Sequence, residues 1–172
     1  LKSIIDQELQ PKRIILVDDG SSDETVKIAK TISPNVRLLN NYKKSGQPGA
    51  LSCGLEAVDT KYVSFLDADD YWSKHKQVHQ VAHIESSNAD VVSSGVVEFY
   101  SNDSNSLLVR RKIYNSRLFG AATFKTALFQ STPLEDVFSN FAWQFEWWSK
   151  ASENRISIEH LHAEHLYRRV HD

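Results

Sequence analysis

Short, nearly continuous apolar runs alternate along this chain with stretches whose apolar residues recur every three or four positions. Ile14-Ile15-Leu16-Val17 and Tyr62-Val63-Ser64-Phe65-Leu66 have strand length and β-branched or aromatic members, which predicts buried parallel strands over 13–18 and 62–66. Leu1, Ile4, Ile5 and Leu9 fall on one helical face, predicting a helix over 1–9 that ends before Pro11. Ser21 with Glu24 three residues later has the form of a capping box for a helix over 23–33, stopped by Ser33-Pro34 and followed by a strand over 36–40. That unit is expected to cross over right-handed. Lys44 to Gly49 reads as a loop, and Ala50, Leu51, Leu55 and Val58 define a short helix. Further on, the pattern predicts a helix over 74–86, a strand over 90–100, a polar turn at 101–106 and a return strand over 107–114. Residues 117–150 carry aromatics and two expected helices, and Ile156, Ile158 and Leu161 alternate with polar residues as an edge strand does. The repeated alternation of strand and helix defines an α/β fold.

Length and composition narrow the class. With 172 residues the chain is expected to be a single domain, and a net charge of −2 gives no reason to expect a nucleic-acid partner. Arg110-Arg111-Lys112 reads as a solvated strand or loop face. No apolar stretch reaches the length of a membrane span and no signal peptide is visible, so the expectation is a soluble, cytoplasmic protein. Cys53 is the single cysteine; it is expected to be a small buried residue in a reducing compartment. The chain opens on a helix without a preceding strand or an initiator methionine, which suggests that an N-terminal piece is missing.

Chemistry enters through two acidic clusters. Val17-Asp18-Asp19-Gly20-Ser21-Ser22-Asp23 and Leu66-Asp67-Ala68-Asp69-Asp70 each follow a predicted strand, at the sheet edge where α/β proteins bind ligands. Aspartates after strands also serve as caps and turn formers, which accounts for part of the first cluster. The second has three carboxylates in four residues, and their mutual repulsion is most simply relieved by a bound cation. In an extended segment Asp67 and Asp69 point the same way, and hard oxygen ligands suit Mg²⁺ or Mn²⁺. His75, His79 and His83 stack along one helix face; with no Cys or Asp nearby to complete a zinc set, they read as a polar stripe opposite Val78, Val81 and Ala82.

Val17-Asp18-Asp19-Gly20-Ser21 followed by Leu66-Asp67-Ala68-Asp69-Asp70, with a helix-strand pattern between, resembles the paired signature of family 2 glycosyltransferases. The likeness is specific over about 10–100 and weaker over 117–172, through Glu146-Trp147-Trp148-Ser149-Lys150-Ala151 and the ending Tyr167-Arg168-Arg169-Val170-His171. It implies a single GT-A domain over 1–172, with a mixed, mainly parallel sheet flanked by helices. Residues 1–100 would form the nucleotide-sugar half and 101–172 the acceptor side. Its function would be transfer of a sugar from a nucleoside diphosphate sugar to an acceptor hydroxyl, with inversion. By this resemblance Asp19 accepts from the base and Asp18 supports it; Asp67 contacts ribose or metal; Asp69 ligates Mg²⁺ or Mn²⁺. Arg168 and His171 belong to an element that folds over the diphosphate, Arg168 on the nucleotide or, equally, in a structural ion pair, and His171 near the metal.

The chain departs from the family in two places. Where members carry a Glu-Asp pair whose Asp is the general base, alignment on Trp148-Ser149-Lys150-Ala151 puts Trp143-Gln144. Glu146, one helical turn away, and Asp136 of the earlier pair Glu135-Asp136 are the candidate bases; Glu146 could instead be an exposed residue paired with Lys150. Leu51-Ser52 replaces the Arg-Asn common in the family, which leaves the donor base open. Trp143, Trp147 and Trp148 could stack sugar or fill the core. The acceptor could be a glycan, a lipid carrier or a protein, and a peripheral membrane location stays open. The competing readings are a catalytically silent GT-A-like domain that binds a nucleotide sugar or a partner, and a nucleotidyltransferase of related topology.

Overall fold

The computed structural model describes residues 1–43, 46–101, 107–113, 115–134 and 142–171. Its packing forms two compact units, the first built mainly from residues 11–63 and 126–156, the second from 2–10, 64–125 and 157–172.

In the first unit β1 (Ile15–Asp18) and β2 (Arg37–Asn40) pair in parallel, Ile15 opposite Arg37 and Asp18 opposite Asn40, joined through α2 (Thr25–Ile32). The expected capping box does not form. Ser21 N–H donates to Asp18 Oδ1 at 3.0 Å and Thr25 N–H to Asp23 Oδ1 at 2.9 Å, so aspartates close the turn and α2 starts two residues late. A carboxylate is the better partner for helix N-terminal N–H groups. α3 (Gln47–Leu55) follows, with Cys53 buried in it, and the chain passes to the second unit within β3 (Tyr62–Ser64). α5 (Leu128–Ser131) and α6 (Trp143–Glu153) complete the first unit. Trp143, Trp147 and Trp148 are buried in it, and the Trp147 indole N–H donates to Thr132 C=O at 2.9 Å. Core packing, rather than sugar stacking, therefore accounts for these tryptophans.

The second unit is organised on β5 (Val91–Ser101), which is buried on both faces from Val91 to Phe99, its polar Ser93, Ser94 and Glu98 included. The sheet order is β3-β7-β5-β8-β4, with β6 also on β5. β6 (Leu107–Ile113) and β7 (Thr123–Lys125) run antiparallel to β5, while β8 (Ile158–Arg169) runs parallel along Val91–Phe99. The expected edge strand is thus longer and more central: β4 (Tyr71–Trp72) pairs with Tyr167 and Leu166 on its other side. β8 shifts register opposite Gly95, where an added Cβ would lie 3.1 Å from Ala163 C=O, so glycine permits the approach.

α1 (Lys2–Ile5) is shorter than predicted because Gln7 leaves the helix to bridge elements: its amide donates to Ser3 and Ser73 C=O and accepts Gln77 N–H. The histidine stripe runs from His75, at the N-cap of α4 (Lys76–Ser87), onto the helix, and every member is partnered: His75 to Glu8 at 2.7 Å, His79 to His165 at 3.1 Å, and His83 to Glu159. Lys76 on the same helix is fully buried, donating to Ala122 C=O at 3.1 Å with its ammonium 4.3 Å from the Trp72 ring. Burial pushes that ammonium well below its ordinary range.

Candidate active site

The first acidic loop is held from within. Asp18 ends β1 and its carboxylate accepts Ser21 N–H; hydrogen bonding from the Ser21 side chain first, and from that N–H next, lowers its pKa. Asp19 accepts Asn41 Nδ2 at 2.6 Å on one oxygen and Gly46 N–H at 2.8 Å on the other. Asn41 N–H donates in turn to Asp18 C=O at 2.8 Å, and its side chain accepts Lys43 N–H. Gly46 has φ +108° at the N-cap of α3, a conformation that glycine supplies without strain. Asp19 thus braces the end of β1 to the start of α3, and its remaining lone pairs can accept from a ligand.

The second acidic loop is built differently. β3 stops at Ser64, so Asp67, Asp69 and Asp70 sit on a loop beyond the strand, with Asp67 and Asp69 exposed and Asp70 buried. Asp70 is followed by β4, not the helix that a capping role would need; its Oδ1 accepts Arg169 N–H from β8 at 2.9 Å. Burial raises its pKa to about 6, against the lowering effect of that hydrogen bond. One step along, His171 Nε2 lies 2.8 Å from Asp69 Oδ2. The end of β8 is thereby fastened to the loop at Asp70 and presents an imidazole to Asp69. Arg168 turns to Glu98, donating from Nη1 to Oε1 at 3.0 Å.

Glu146 stands half-buried in the first turn of α6, while Trp143, at the position of the expected acid, is buried with its indole N–H on Gln47 at 3.0 Å. Asp136 lies outside the described residues. Phe145, beside Glu146, is 77% exposed. Two contributors were not singled out from sequence. Glu98 was hidden in an apolar strand run, and Asn41 looked like an ordinary loop residue.

Among the described residues no three His, Cys, Asp or Glu side chains converge as a protein-only metal cage. A two-residue platform of Asp69 and His171, with Asp67 on the same loop, still fits a magnesium-like ion. Such ions take one or two carboxylates and complete their shell with substrate phosphates and water. Among the described residues no helix is long and apolar enough to cross a membrane.

Strands followed by acidic loops within a mixed α/β framework are the arrangement of the GT-A fold. The Staphylococcus aureus TarS structures share it, with a TM-score of 0.72 for one, at 22% identity over 98% of this chain and 33% of that one. TarS 1–349 in complex with UDP-GlcNAc aligns at a TM-score of 0.71 over 99% of this chain and 54% of that one. The family model for glycosyl transferase family 2 matches residues 1–143, and the chain belongs to that family. Among its relatives is the Escherichia coli UDP-Glc:alpha-D-GlcNAc-diphosphoundecaprenol beta-1,3-glucosyltransferase WfaP, 36% identical over 49% of this chain and 34% of WfaP. The Staphylococcus epidermidis teichoic acid poly(glycerol phosphate) polymerase is 39% identical over 41% of this chain and 10% of its own length. The chain therefore spans about a third or less of these relatives.

Proposed function

We propose that this domain transfers a sugar from a nucleoside diphosphate sugar to an acceptor hydroxyl. The observation that carries the reading is the tethering of β8 to the second acidic loop, which sets His171 2.8 Å from Asp69 and leaves both reachable by a ligand. Exposed carboxylates clustered on one loop repel one another unless a cation joins them. Asp69, His171 and Asp67 would hold Mg²⁺ or Mn²⁺ here. When bound, such an ion neutralises charge developing on the departing diphosphate. Asp19 and Asp18 would receive the nucleobase, and Arg168, fixed at Glu98, would add positive charge on the diphosphate side.

Direct in-line attack by the acceptor oxygen gives inversion. Its proton would go to Glu146, with Asp136 as the other candidate base, provided that the carboxylate comes within about 3 Å of the hydroxyl. Uridine is the first base to try, because WfaP is named for UDP-Glc and a TarS structure holds UDP-GlcNAc. A glycan or lipid-linked acceptor follows from the same names. One observation favours the silent alternative: buried Trp143 occupies the position of the expected acid.

The test is product analysis on full-length protein with a nucleotide-sugar panel, a divalent cation and candidate acceptors. Released nucleoside diphosphate with a glycosylated product is the expected result, and it should be lost in Glu146→Gln if Glu146 is the base. Pyrophosphate would indicate nucleotidyl transfer instead. Nucleotide-sugar binding without product would establish the silent domain.

A further inference from the structure

The nucleobase end of the site depends on a residue that no charge marks out. Asp19 is exposed, and an exposed aspartate ordinarily turns about its broad terminal torsion. Here both oxygens are claimed: Oδ1 accepts Asn41 Nδ2 at 2.6 Å and Oδ2 accepts Gly46 N–H at 2.8 Å. The two donors hold opposite oxygens, so turning the carboxylate breaks both bonds at once. Gly46 donates from the backbone at the N-cap of α3, whereas Asn41 donates from a side chain that a substitution can remove.

Asn41 is itself fixed at two further points. Its N–H donates to Asp18 C=O at 2.8 Å, carrying the β1–β2 pairing one residue past Asn40. Its Oδ1 accepts Lys43 N–H at 2.9 Å. These partners settle which way the amide faces. A backbone N–H only donates and an ionised carboxylate only accepts, so the amide oxygen belongs at Lys43 and the nitrogen at Asp19. The charged groups beside this pair are engaged elsewhere: Asp18 accepts Ser21 N–H, and the Lys43 ammonium lies 2.7 Å from Glu56, to which Tyr42 also donates. Of the roughly four lone-pair sites on a carboxylate, one on each oxygen is thus filled, and those left accept in a fixed plane. A ligand N–H then meets an acceptor that is already oriented.

We propose that Asn41 is a positioning residue for donor binding, acting through Asp19 alone and holding that carboxylate as an aimed, acceptor-only contact for a base N–H. The proposal rests on the transferase reading, in which Asp19 receives the nucleobase. An asparagine serves at any working pH because its amide does not titrate. An aspartate at this position would serve only when protonated, since two facing carboxylates share a proton at low pH and repel at high pH.

The test is calorimetric binding of the preferred nucleoside diphosphate, with Mg²⁺, to full-length wild type, Asn41→Ala, Asp19→Ala, the double variant and Asn41→Asp. Asn41→Ala is expected to weaken binding about fivefold, and to weaken it no further in the Asp19→Ala background. Asn41→Asp, taken as a ratio to wild type at each pH, is expected to bind about tenfold more weakly at pH 8 and to recover to about twofold at pH 5.5. The ratio removes the titration of the phosphates and of His171, which both proteins share. Asn41→Asp is close to isosteric and carries the test should Asn41→Ala not fold. Losses in Asn41→Ala and Asp19→Ala that add, an Asn41→Asp deficit equal at both pH values, or wild-type affinity in both Asn41 variants would overturn this proposal alone. Wild-type affinity in Asp19→Ala would overturn the base contact and this proposal, and leave the cation platform standing. No nucleotide bound by the wild type would overturn the transferase reading and this proposal with it.

Discussion

The two acidic loops look alike in sequence and are built on opposite principles. In the first, Asp18 and Asp19 accept from Ser21, Asn41 and Gly46, so their charge is spent on bracing β1 to the start of α3. In the second, Asp70 accepts a backbone N–H and Asp69 lies against the His171 imidazole, while Asp67 and Asp69 remain exposed. A carboxylate already answered by backbone donors shapes a site. Exposed carboxylates set together on one loop are where a cation from outside would bind.

If that contrast holds, Asp69→Ala should abolish function without touching the fold. Transfer activity is expected to fall by about a hundredfold or more, roughly 3 kcal/mol in the transition state, with thermal melting unchanged. An equal loss in stability would erase the distinction between the loops.

A lesion in the same unit but away from its loop should do the reverse. His165 is buried, bonded to Ser73 at 2.6 Å and His79 at 3.1 Å, and faces Lys76 and His75. Burial first, then these neighbours, push its pKa down to about 4 from the ordinary 6.5. A folded pKa below the unfolded one means that the stability present above pH 6.5 is lost as pH falls towards 4. Denaturant melts should show about 2 kcal/mol less stability at pH 4.5 than at pH 7 from this residue. His165→Gln should flatten that part of the profile and leave nucleotide affinity at pH 7.5 unchanged.

The first loop should couple both properties. Asp19→Ala is expected to lower nucleotide affinity by about tenfold and the melting temperature by about 3 °C, since one side chain serves ligand and loop. Gly46→Ala, which strains φ +108° without removing a charge, should cost about 1 kcal/mol of stability and act on nucleotide affinity only weakly.

Much of this architecture was legible in the chain. The apolar runs at 14–17 and 62–66 and the run from Val91 marked strands, although β1 and β3 are only half-buried and β3 stops at Ser64, short of the predicted end. Where side chains overrode local pattern, legibility failed. Gln7 cut short an amphipathic helix by satisfying two distant backbone groups, Ser73 C=O and Gln77 N–H, and Asp23 displaced a capping box that was correct in form. β8 read as an edge because its alternation of His with Ile and Leu looks half-solvated. The partners that bury His165 come from α4 and from Ser73, far away in sequence. Of the site, Asp69 and His171 were legible as a family pattern, and their meeting at 2.8 Å is a product of the β4–β8 pairing. The anchoring of Arg168 at Glu98 was not, because a lone Glu in an apolar strand carries no signal of its register partners.

The most direct measurement is calorimetric binding of a nucleoside diphosphate panel to the full-length protein, with and without Mn²⁺, for wild type and Asp69→Ala. The second loop as a cation and diphosphate platform predicts tight binding of one nucleotide that depends on Mn²⁺ and disappears in the variant. Binding that ignores the metal, or survives in Asp69→Ala, would contradict it.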